Sequence, residues 1–212
     1  MSDEKRPWEL WDKPGIAHEI NKIWKNDSEA IYRLILAHHV SKYVRKGEKF
    51  LEVGCGSGYF YNFLRKLAEV DYTGIDTSDE MLTIARMTYP GVKFQKGDGY
   101  HLDFPDNSFD AVAAIDVLQH VPDLVTMIRE LKRVARRIYF FTLVIADKTN
   151  RGWETILGTQ FIYNVFTQRD ANEQVKEATG GTPFFFYSSW VNRSVIWVVA
   201  KNSAIDLGQW MG

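Results

Sequence analysis

The segment FLEVGCGSG at residues 50–58, together with GIDTS at residues 74–78, decides the fold of this chain. In the first, an apolar run ends in Glu52 and opens into three glycines at alternate positions. In the second, an apolar run ends in Asp76, 18 residues after the last glycine. Glycines permit a tight turn and close approach of a ligand. A carboxylate after the next strand can accept from both hydroxyls of a ribose. The two segments therefore predict a site for a nucleoside-containing cofactor.

The residues around the glycines narrow the choice of cofactor. A dinucleotide-binding loop reads G-x-G-x-x-G and holds a pyrophosphate at a helix N-terminus. This chain reads G-x-G-x-G and carries Tyr59 where that fingerprint has its third glycine. Glu52 would also present a negative charge to the ligand, which suits an ammonium or a sulfonium better than a pyrophosphate. The pattern therefore favours a cationic cofactor over a nicotinamide dinucleotide.

Three further segments follow in order: FQKGDG at 94–99, LDFPDNSFDAV at 102–112 and DVLQHV at 116–121. With the two segments above, they resemble the motifs of the class I S-adenosylmethionine-dependent methyltransferases, in particular the small soluble ones, over residues 48–136. The resemblance implies S-adenosylmethionine as cofactor and S-adenosylhomocysteine as product. It also implies an antiparallel last strand in the sheet.

The alternation of apolar strand and helix patterns predicts an α/β fold, a doubly wound, mostly parallel seven-stranded sheet with helices on both faces. We expect residues 1–46 to form a helical, aromatic segment that caps the site. Residues 47–212 would form the Rossmann-like domain. Residues 148–167 leave the carboxyl end of the fifth strand, where ligands bind in such sheets, and we expect them to form a lid on the substrate side.

Local patterns predict how individual helices begin, end and pack. A helix from residues 26–28 to about 43 would bury one face, and a second would begin at a capping box in which Thr77 caps and Glu80 reaches back. The basic residues within 132–137 would end a later helix, where cations favour its dipole. The face predicted to be buried in the first helix consists of Ile31, Leu34, Ile35 and His38.

The resemblance assigns the residues that would hold the cofactor. Gly54, Gly56 and Gly58 would pass close to its methionine portion, with Cys55 as a small residue between two glycines. Glu52 would orient the loop and the ammonium.

Further cofactor contacts follow from the later motifs. Asp76 would take the ribose hydroxyls. The other proposed contacts are Thr77 and Met81 on either side of the adenine, Asp98 on its amino group, Gly99 with a backbone N–H to the ring, and Ile115 and Asp116 at the ammonium.

Methyl transfer from a sulfonium depends largely on proximity and alignment, and a base is needed only when the acceptor must lose a proton early. His120 follows the fourth strand on the side where an acceptor should enter, and it is the candidate base; a structural role in the local turn is the alternative. No His, Cys and carboxylate spacing matches a metal site. The residues predicted on the substrate side are Trp11, Gln119, His120, Trp153 and Tyr163.

Net charge and the length of apolar runs limit the partners that the sequence predicts. Its 212 residues carry a formal net charge of −1, so no basic field would draw it to nucleic acid or to an anionic membrane. The longest apolar run, residues 138–146, is too short to span a bilayer, which needs about 20 residues. The start of the sequence lacks the apolar stretch of a secretory signal. We expect a cytoplasmic protein acting on the O or N, less readily the C, of a small-molecule acceptor.

Two other functions remain open from the sequence. One is a nicotinamide-dependent oxidoreductase, which Tyr59 and Glu52 disfavour. The other is a non-catalytic S-adenosylmethionine-binding subunit that supports a partner, because no single side chain in the motifs is indispensable for catalysis.

Overall fold

A seven-stranded sheet forms the centre of the protein, in a computed structural model that describes residues 9–13, 15–25, 27–182, 184–188 and 194–201. Its strand order is β3-β2-β1-β4-β5-β9-β8, and the first five of these run parallel. The strand β9 runs antiparallel to both of its neighbours. The predicted fold class is confirmed. The strands of the sheet are β1 (Lys49–Val53), β2 (Asp71–Asp76), β3 (Lys93–Lys96), β4 (Phe109–Ala114), β5 (Ala135–Val144), β8 (Phe184–Ser188) and β9 (Ser194–Ala200).

Helices cover both faces of this sheet because its strands are apolar on both sides. Along β1, for example, Phe50 packs into one apolar cluster and Leu51 into the other. The cluster with Phe50 includes side chains of α3, α4 and α5, and the cluster with Leu51 includes side chains of α6 and α7. The helices are α1 (Glu9–Asp12), α2 (Ile16–Trp24), α3 (Asp27–Ser41), α4 (Tyr59–Leu64), α5 (Asp79–Thr88), α6 (Leu124–Val134) and α7 (Gln168–Thr179).

The helix α3 buries the face opposite to the one predicted. Ile31 is 55% exposed and Leu34 is 45% exposed, and His38 is exposed too. The buried face presents Tyr32, Leu36, Ala37 and Val40 to the sheet and α4. Both faces of this helix are apolar, so periodicity alone could not choose between them. The small Ala37 and Val40 let the helix lie close to the core, and the Tyr32 hydroxyl finds a polar partner there.

Two predicted helix ends differ from those observed. Ser78, and not Thr77, caps α5, because the Ser78 Oγ accepts from the Met81 N–H at 3.1 Å. The Asp76 carboxylate accepts from the Ser78 N–H at 2.9 Å, which holds Ser78 in the capping position. Basic residues 136 and 137 lie in β5, since α6 ends at Val134, and Arg137 pairs with Glu48 instead of the helix dipole.

Residues 148–167, predicted to be a lid, contain a β-hairpin outside the main sheet. The strands β6 (Asn150–Ile156) and β7 (Thr159–Val165) pair antiparallel around a turn in which Leu157 and Gly158 both have positive φ. Ile156 and Phe161 of the hairpin pack on a cluster formed by α1, α2 and α5. The N-terminal helices and the hairpin therefore meet above the same end of the sheet.

Part of the predicted N-terminal segment, namely residues 1–8, 14 and 26, lies outside the described residues. Among the residues that the structure describes, no helix is long and apolar enough to cross a membrane.

Candidate active site

The carboxyl ends of β1, β2 and β4 surround a cavity of about 960 Å³. Parallel strands bring their carboxyl ends to one edge, so segments distant in sequence meet there. Of the twelve residues predicted to hold the cofactor, all except Gly58 line this cavity. They are Glu52, Gly54, Cys55, Gly56, Asp76, Thr77, Met81, Asp98, Gly99, Ile115 and Asp116.

The glycine loop turns so tightly that two of its glycines have no substitute. Gly54 has φ +72°, and a Cβ on it would lie 2.3 Å from the Val117 side chain. Gly58 has φ +77°, and a Cβ there would lie 2.9 Å from the ring of Tyr89. Gly58 begins α4 and packs against aromatic rings, which explains why it does not line the cavity. Its conformation and packing therefore fix the start of α4.

Asp76 joins the glycine loop to the start of α5. Its Oδ2 accepts from the Gly56 N–H at 2.8 Å, and its Oδ1 accepts from the Ser78 N–H at 2.9 Å. Burial raises the pKa of Asp76, and these two hydrogen bonds act against that shift. Each carboxylate oxygen can accept a second hydrogen bond, so the group is fixed in place and can still bind two neighbouring hydroxyls.

Glu52 lies deeper in the cavity wall and is almost fully buried. The Tyr72 hydroxyl donates a hydrogen bond to its Oε2. Burial raises the pKa of Glu52 to about 8, although the hydrogen bond from Tyr72 and the charge of Arg33 oppose the shift. At neutral pH the side chain is therefore mostly protonated, and it can ionise when a cation is placed beside it.

Ionisation of Glu52 should make stability fall as the pH rises. Its pKa is about 8 in the folded protein against 4.5 ordinarily, so the stabilisation is complete below the lower value and is lost as the pH rises through the higher one. We expect the free energy of unfolding of the wild type, relative to Glu52→Gln, to fall between about pH 5 and pH 8. Urea unfolding at several pH values measures this difference. Parallel pH profiles for the two proteins would contradict it.

A buried ion pair, which the sequence gave no reason to expect, connects α3 to the end of β4. Arg33 Nη2 lies 2.8 Å from Asp116 Oδ2, and the side chains are only 7% and 11% exposed. The Tyr32 hydroxyl donates to Asp116 Oδ1 at 2.7 Å. Asp116 has φ +56°, and its N–H donates to the Thr142 hydroxyl at 2.7 Å. The i, i+4, i+8 series of Tyr32, Leu36 and Val40 was the one sequence signal that this face of α3 is buried.

The outer end of the cavity is built by the segment after β3. The Asp98 carboxylate is exposed and accepts from the Tyr100 N–H at 2.9 Å, which is the turn geometry of an aspartate near a tight bend. Gly99 packs so closely that a Cβ would lie 2.3 Å from Met127 Cε. Met127 and Tyr100 also line the cavity, and sequence reasoning missed both. Apolar and polar groups are thus both present at this end of the cavity, and binding of a nucleobase with its exocyclic groups would require both.

A second cavity of about 1000 Å³ adjoins the first. The two share a wall formed by Trp11, Arg33, Asp116 and His120. Gln119 and Tyr163, predicted on the substrate side, line the second cavity. Trp153 lines neither cavity and is 47% exposed, so the structure does not bring it to them. The alternation of β6 explains this position, because Trp153 lies on the face of the hairpin opposite to that of Ile156.

His120 lies in the shared wall within a cage of aromatic rings. Its ring centroid is 5.3 Å from that of Trp11, 5.6 Å from Phe161 and 5.7 Å from Tyr163. Its Nδ1 lies 3.0 Å from the carbonyl oxygen of Ile162, which can only accept, so the proton is on Nδ1 and the lone pair is on Nε2. Burial lowers the pKa of His120. A neutral imidazole with a free lone pair is the form that a general base requires.

The described side chains do not support two other kinds of site, a nucleophilic cysteine and a metal centre. Cys55 is buried, its Sγ packs where a side chain at Gly74 would lie, and burial raises the pKa of its thiol well above the usual value. Such a thiol is a packing group and a poor nucleophile. Within the described residues, no group of three or more His, Cys, Asp and Glu side chains could hold a metal ion.

Comparison with known proteins points to one family. Residues 51–138 match the family of methyltransferase domains. An uncharacterised methyltransferase of Schizosaccharomyces pombe is 34% identical over 110 residues, which are 46% of this chain and 40% of that protein. A demethylmenaquinone methyltransferase of Staphylococcus aureus is 39% identical over 98 residues, which are 44% of this chain and 41% of that protein. The chain spans about two fifths of the length of these relatives.

The fold extends the comparison to almost the whole chain. The magnesium protoporphyrin IX methyltransferase of Synechocystis, solved with bound S-adenosylmethionine, superposes with a TM-score of 0.69 over 95% of this chain and all of that one, at 16% identity. The chain therefore has the α/β, Rossmann-like fold of this methyltransferase. Residues 51–138 match a methyltransferase domain, and in sequence the chain is similar to methyltransferases over slightly less than half of its length.

Proposed function

We propose that this protein binds S-adenosylmethionine in the first cavity and transfers its methyl group to an acceptor in the second. The observation that carries this proposal is that the two cavities share one wall, in which His120 and Asp116 face both. A donor and an acceptor placed in them would meet across that wall. Proximity of this kind supplies most of the rate enhancement in such a displacement.

The charges of the first cavity fit this cofactor. Three aspartates line it, Asp76, Asp98 and Asp116, against one cationic side chain among the described residues, that of Arg33. A ligand with an ammonium and a sulfonium is attracted by this excess of carboxylates, whereas a pyrophosphate is repelled. Asp76 is fixed in a position to take the ribose hydroxyls, and Asp98 and Gly99 would take the adenine. These assignments are proposals that rest on geometry and charge.

The chain's own contribution is orientation, exclusion of water and removal of a proton. When bound, the cofactor supplies an electrophilic methyl group on a sulfonium sulfur, which keeps the electron pair of the broken S–C bond and becomes a neutral thioether. The acceptor atom forms the new bond to carbon. If it carries a proton, His120 Nε2 would take that proton, because Nδ1 is engaged with Ile162. Trp11, Phe161 and Tyr163 hold the imidazole and keep water away.

We propose that the segment above the site controls access. The hairpin of β6 and β7 packs on α1 and α2 through Ile156 and Phe161, and Trp11 joins this contact to His120. An acceptor has to enter beneath these elements to reach the second cavity. That cavity suits a small molecule, with O or N as the methylated atom and C as the less favoured one.

Loss of the His120 imidazole tests the proposed reaction. With an acceptor that loses a proton, His120→Ala should lower turnover roughly 100-fold or more, which is the usual contribution of a positioned base. Wild-type activity should fall as the pH drops below the ordinary histidine pKa of 6.5, because protonation of Nε2 removes the base. Formation of S-adenosylhomocysteine, followed by chromatography, measures both effects.

The control for this variant is His101→Ala, an exposed histidine outside both cavities. It should leave turnover unchanged. Unchanged turnover in His120→Ala as well would assign His120 a purely structural role.

A further inference from the structure

Gln119 is a buried polar side chain whose amide oxygen lacks a hydrogen-bond partner among the described residues. It is 6% exposed, it lies in the short turn after β4, and it lines the second cavity. Its Oε1 has no hydrogen-bond partner among the described residues. A buried amide oxygen left without a donor is destabilising, because it loses its hydrogen bonds to water without replacement. A ligand that brings a donor to this oxygen would restore the missing hydrogen bond.

Two further groups of the second cavity can also accept a hydrogen bond. His120 presents the lone pair of Nε2, and Glu29 presents a carboxylate. The cation of this cavity among the described residues is Arg33, and its guanidinium is already bound to Asp116 at 2.8 Å and lies 3.9 Å from Glu29. Among the residues that the structure describes, two carboxylates against one guanidinium leave the cavity negative, and none offers an uncommitted cation to an anionic ligand.

The remaining wall is apolar and rich in rings. Phe161 and Tyr163 of the hairpin form one side, and Ile20 of α2 and Val144 of β5 contribute further apolar surface. Such a lining favours the flat, apolar body of a ring-containing molecule. The acceptor groups of the cavity thus suit a hydrogen-bond donor on a ligand, and its apolar wall suits the ring body of the same ligand.

We propose that Gln119 is a specificity-determining residue, which selects acceptors that carry a hydroxyl or N–H donor on an apolar ring body and that bear no negative charge. This inference rests on the proposed function and names the substrate class of its second cavity. Gln119 Oε1 would accept a hydrogen bond from the donor group of the bound acceptor. The adjacent His120 would take the proton that the acceptor loses.

Three ring compounds of similar shape test the selection. Indole carries an N–H donor, benzothiophene has nearly the same shape without it, and indole-5-carboxylate adds a negative charge. We expect indole to bind the wild-type protein about tenfold more tightly than benzothiophene, the effect of one buried hydrogen bond, and more tightly than the carboxylate. Ligand-observed NMR titrations measure the three dissociation constants, with and without saturating S-adenosylhomocysteine.

Substitutions separate Gln119 from the rest of the cavity. Gln119→Met keeps the length of the side chain and removes the amide, so the preference for indole should fall to about threefold or less. Gln119→Glu keeps an acceptor oxygen and should retain the preference. Gln160→Met makes the same change at an exposed position of the hairpin and should leave it at tenfold. Thermal unfolding of each variant establishes that it is folded.

The outcomes distinguish this inference from the proposed function. Equal binding of indole and benzothiophene to the wild type, tighter binding of the carboxylate, or full selectivity in Gln119→Met would overturn the role of Gln119. Failure of S-adenosylhomocysteine to bind would instead contradict the proposed function, and it is read from a separate titration.

Discussion

Replacing Arg33 with methionine is expected to lower the free energy of unfolding by about 3 kcal/mol. Methionine fills much of the same volume, but it leaves the Asp116 carboxylate buried without its cation. The hydrogen bond from Tyr32 and the ionic contact with Arg33 lie on different oxygens of Asp116, so the first cannot replace the second. Thermal or urea unfolding of the variant measures the loss.

The matched control is Arg129→Met on α6. Arg129 pairs with Glu177 at 3.5 Å, and both side chains are more than half exposed. Exposed pairs of this kind contribute about 0.5 kcal/mol or less. If the two variants lost the same free energy of unfolding, the buried Arg33–Asp116 pair would contribute no more to stability than an exposed ion pair.

A double-mutant cycle tests whether Arg33 and Asp116 interact directly. Asp116→Asn removes the charge and keeps a residue type that tolerates positive φ. In the Arg33→Met/Asp116→Asn protein, part of the lost stability should return, because no charge is left buried alone. Strict additivity of the two substitutions would contradict a direct ion pair.

Asp76→Asn is expected to weaken binding of S-adenosylmethionine about 100-fold while the protein stays folded. The amide keeps the shape of the side chain but can accept through one oxygen only, and it lacks the charge that strengthens hydrogen bonds to hydroxyls. The loss of two charge-assisted hydrogen bonds, at about 1.5–3 kcal/mol each, is enough for this effect. Asp76→Ala would release both the Gly56 and the Ser78 N–H groups, whereas asparagine can still accept from one of them through its single oxygen, so the asparagine is the milder test.

The control for this variant lies at the other end of the same strand. Asp71 is exposed and pairs with Lys93 at 3.2 Å. Asp71→Asn should bind the cofactor as the wild type does, by calorimetric titration. Wild-type affinity in Asp76→Asn would remove the proposed ribose contact.

The residues that directly follow the strands could be predicted from the sequence to lie at one site. The glycine loop, Asp76 and the segment from Asp98 follow strand ends directly, and a parallel sheet brings such ends together whatever the side chains between them do. Eleven predicted residues therefore line one cavity. Gly58 lies outside the lining of this cavity, and the sequence could not show this, because a glycine required by its φ and a glycine required beside a ligand are the same residue type.

Features that depend on contacts between distant elements were not predictable. Arg33 reaches Asp116 across 83 residues of sequence, and no local pattern distinguishes it from a solvated arginine on an amphipathic helix. The choice of Ser78 over Thr77 as the cap depended on the Asp76 carboxylate, which binds the Ser78 N–H. The position of Trp153 depended on which face of an added hairpin turns inward.

The central claim is that the first cavity is a site for a cationic nucleoside cofactor, and calorimetric titration of the wild-type protein tests it most directly. We predict that S-adenosylmethionine and S-adenosylhomocysteine bind with one site per chain and a Kd below about 100 μM. NAD⁺ should give no binding heat under the same conditions, because the carboxylates of the cavity repel its pyrophosphate. Saturable binding of NAD⁺ with no binding of S-adenosylmethionine would contradict the account.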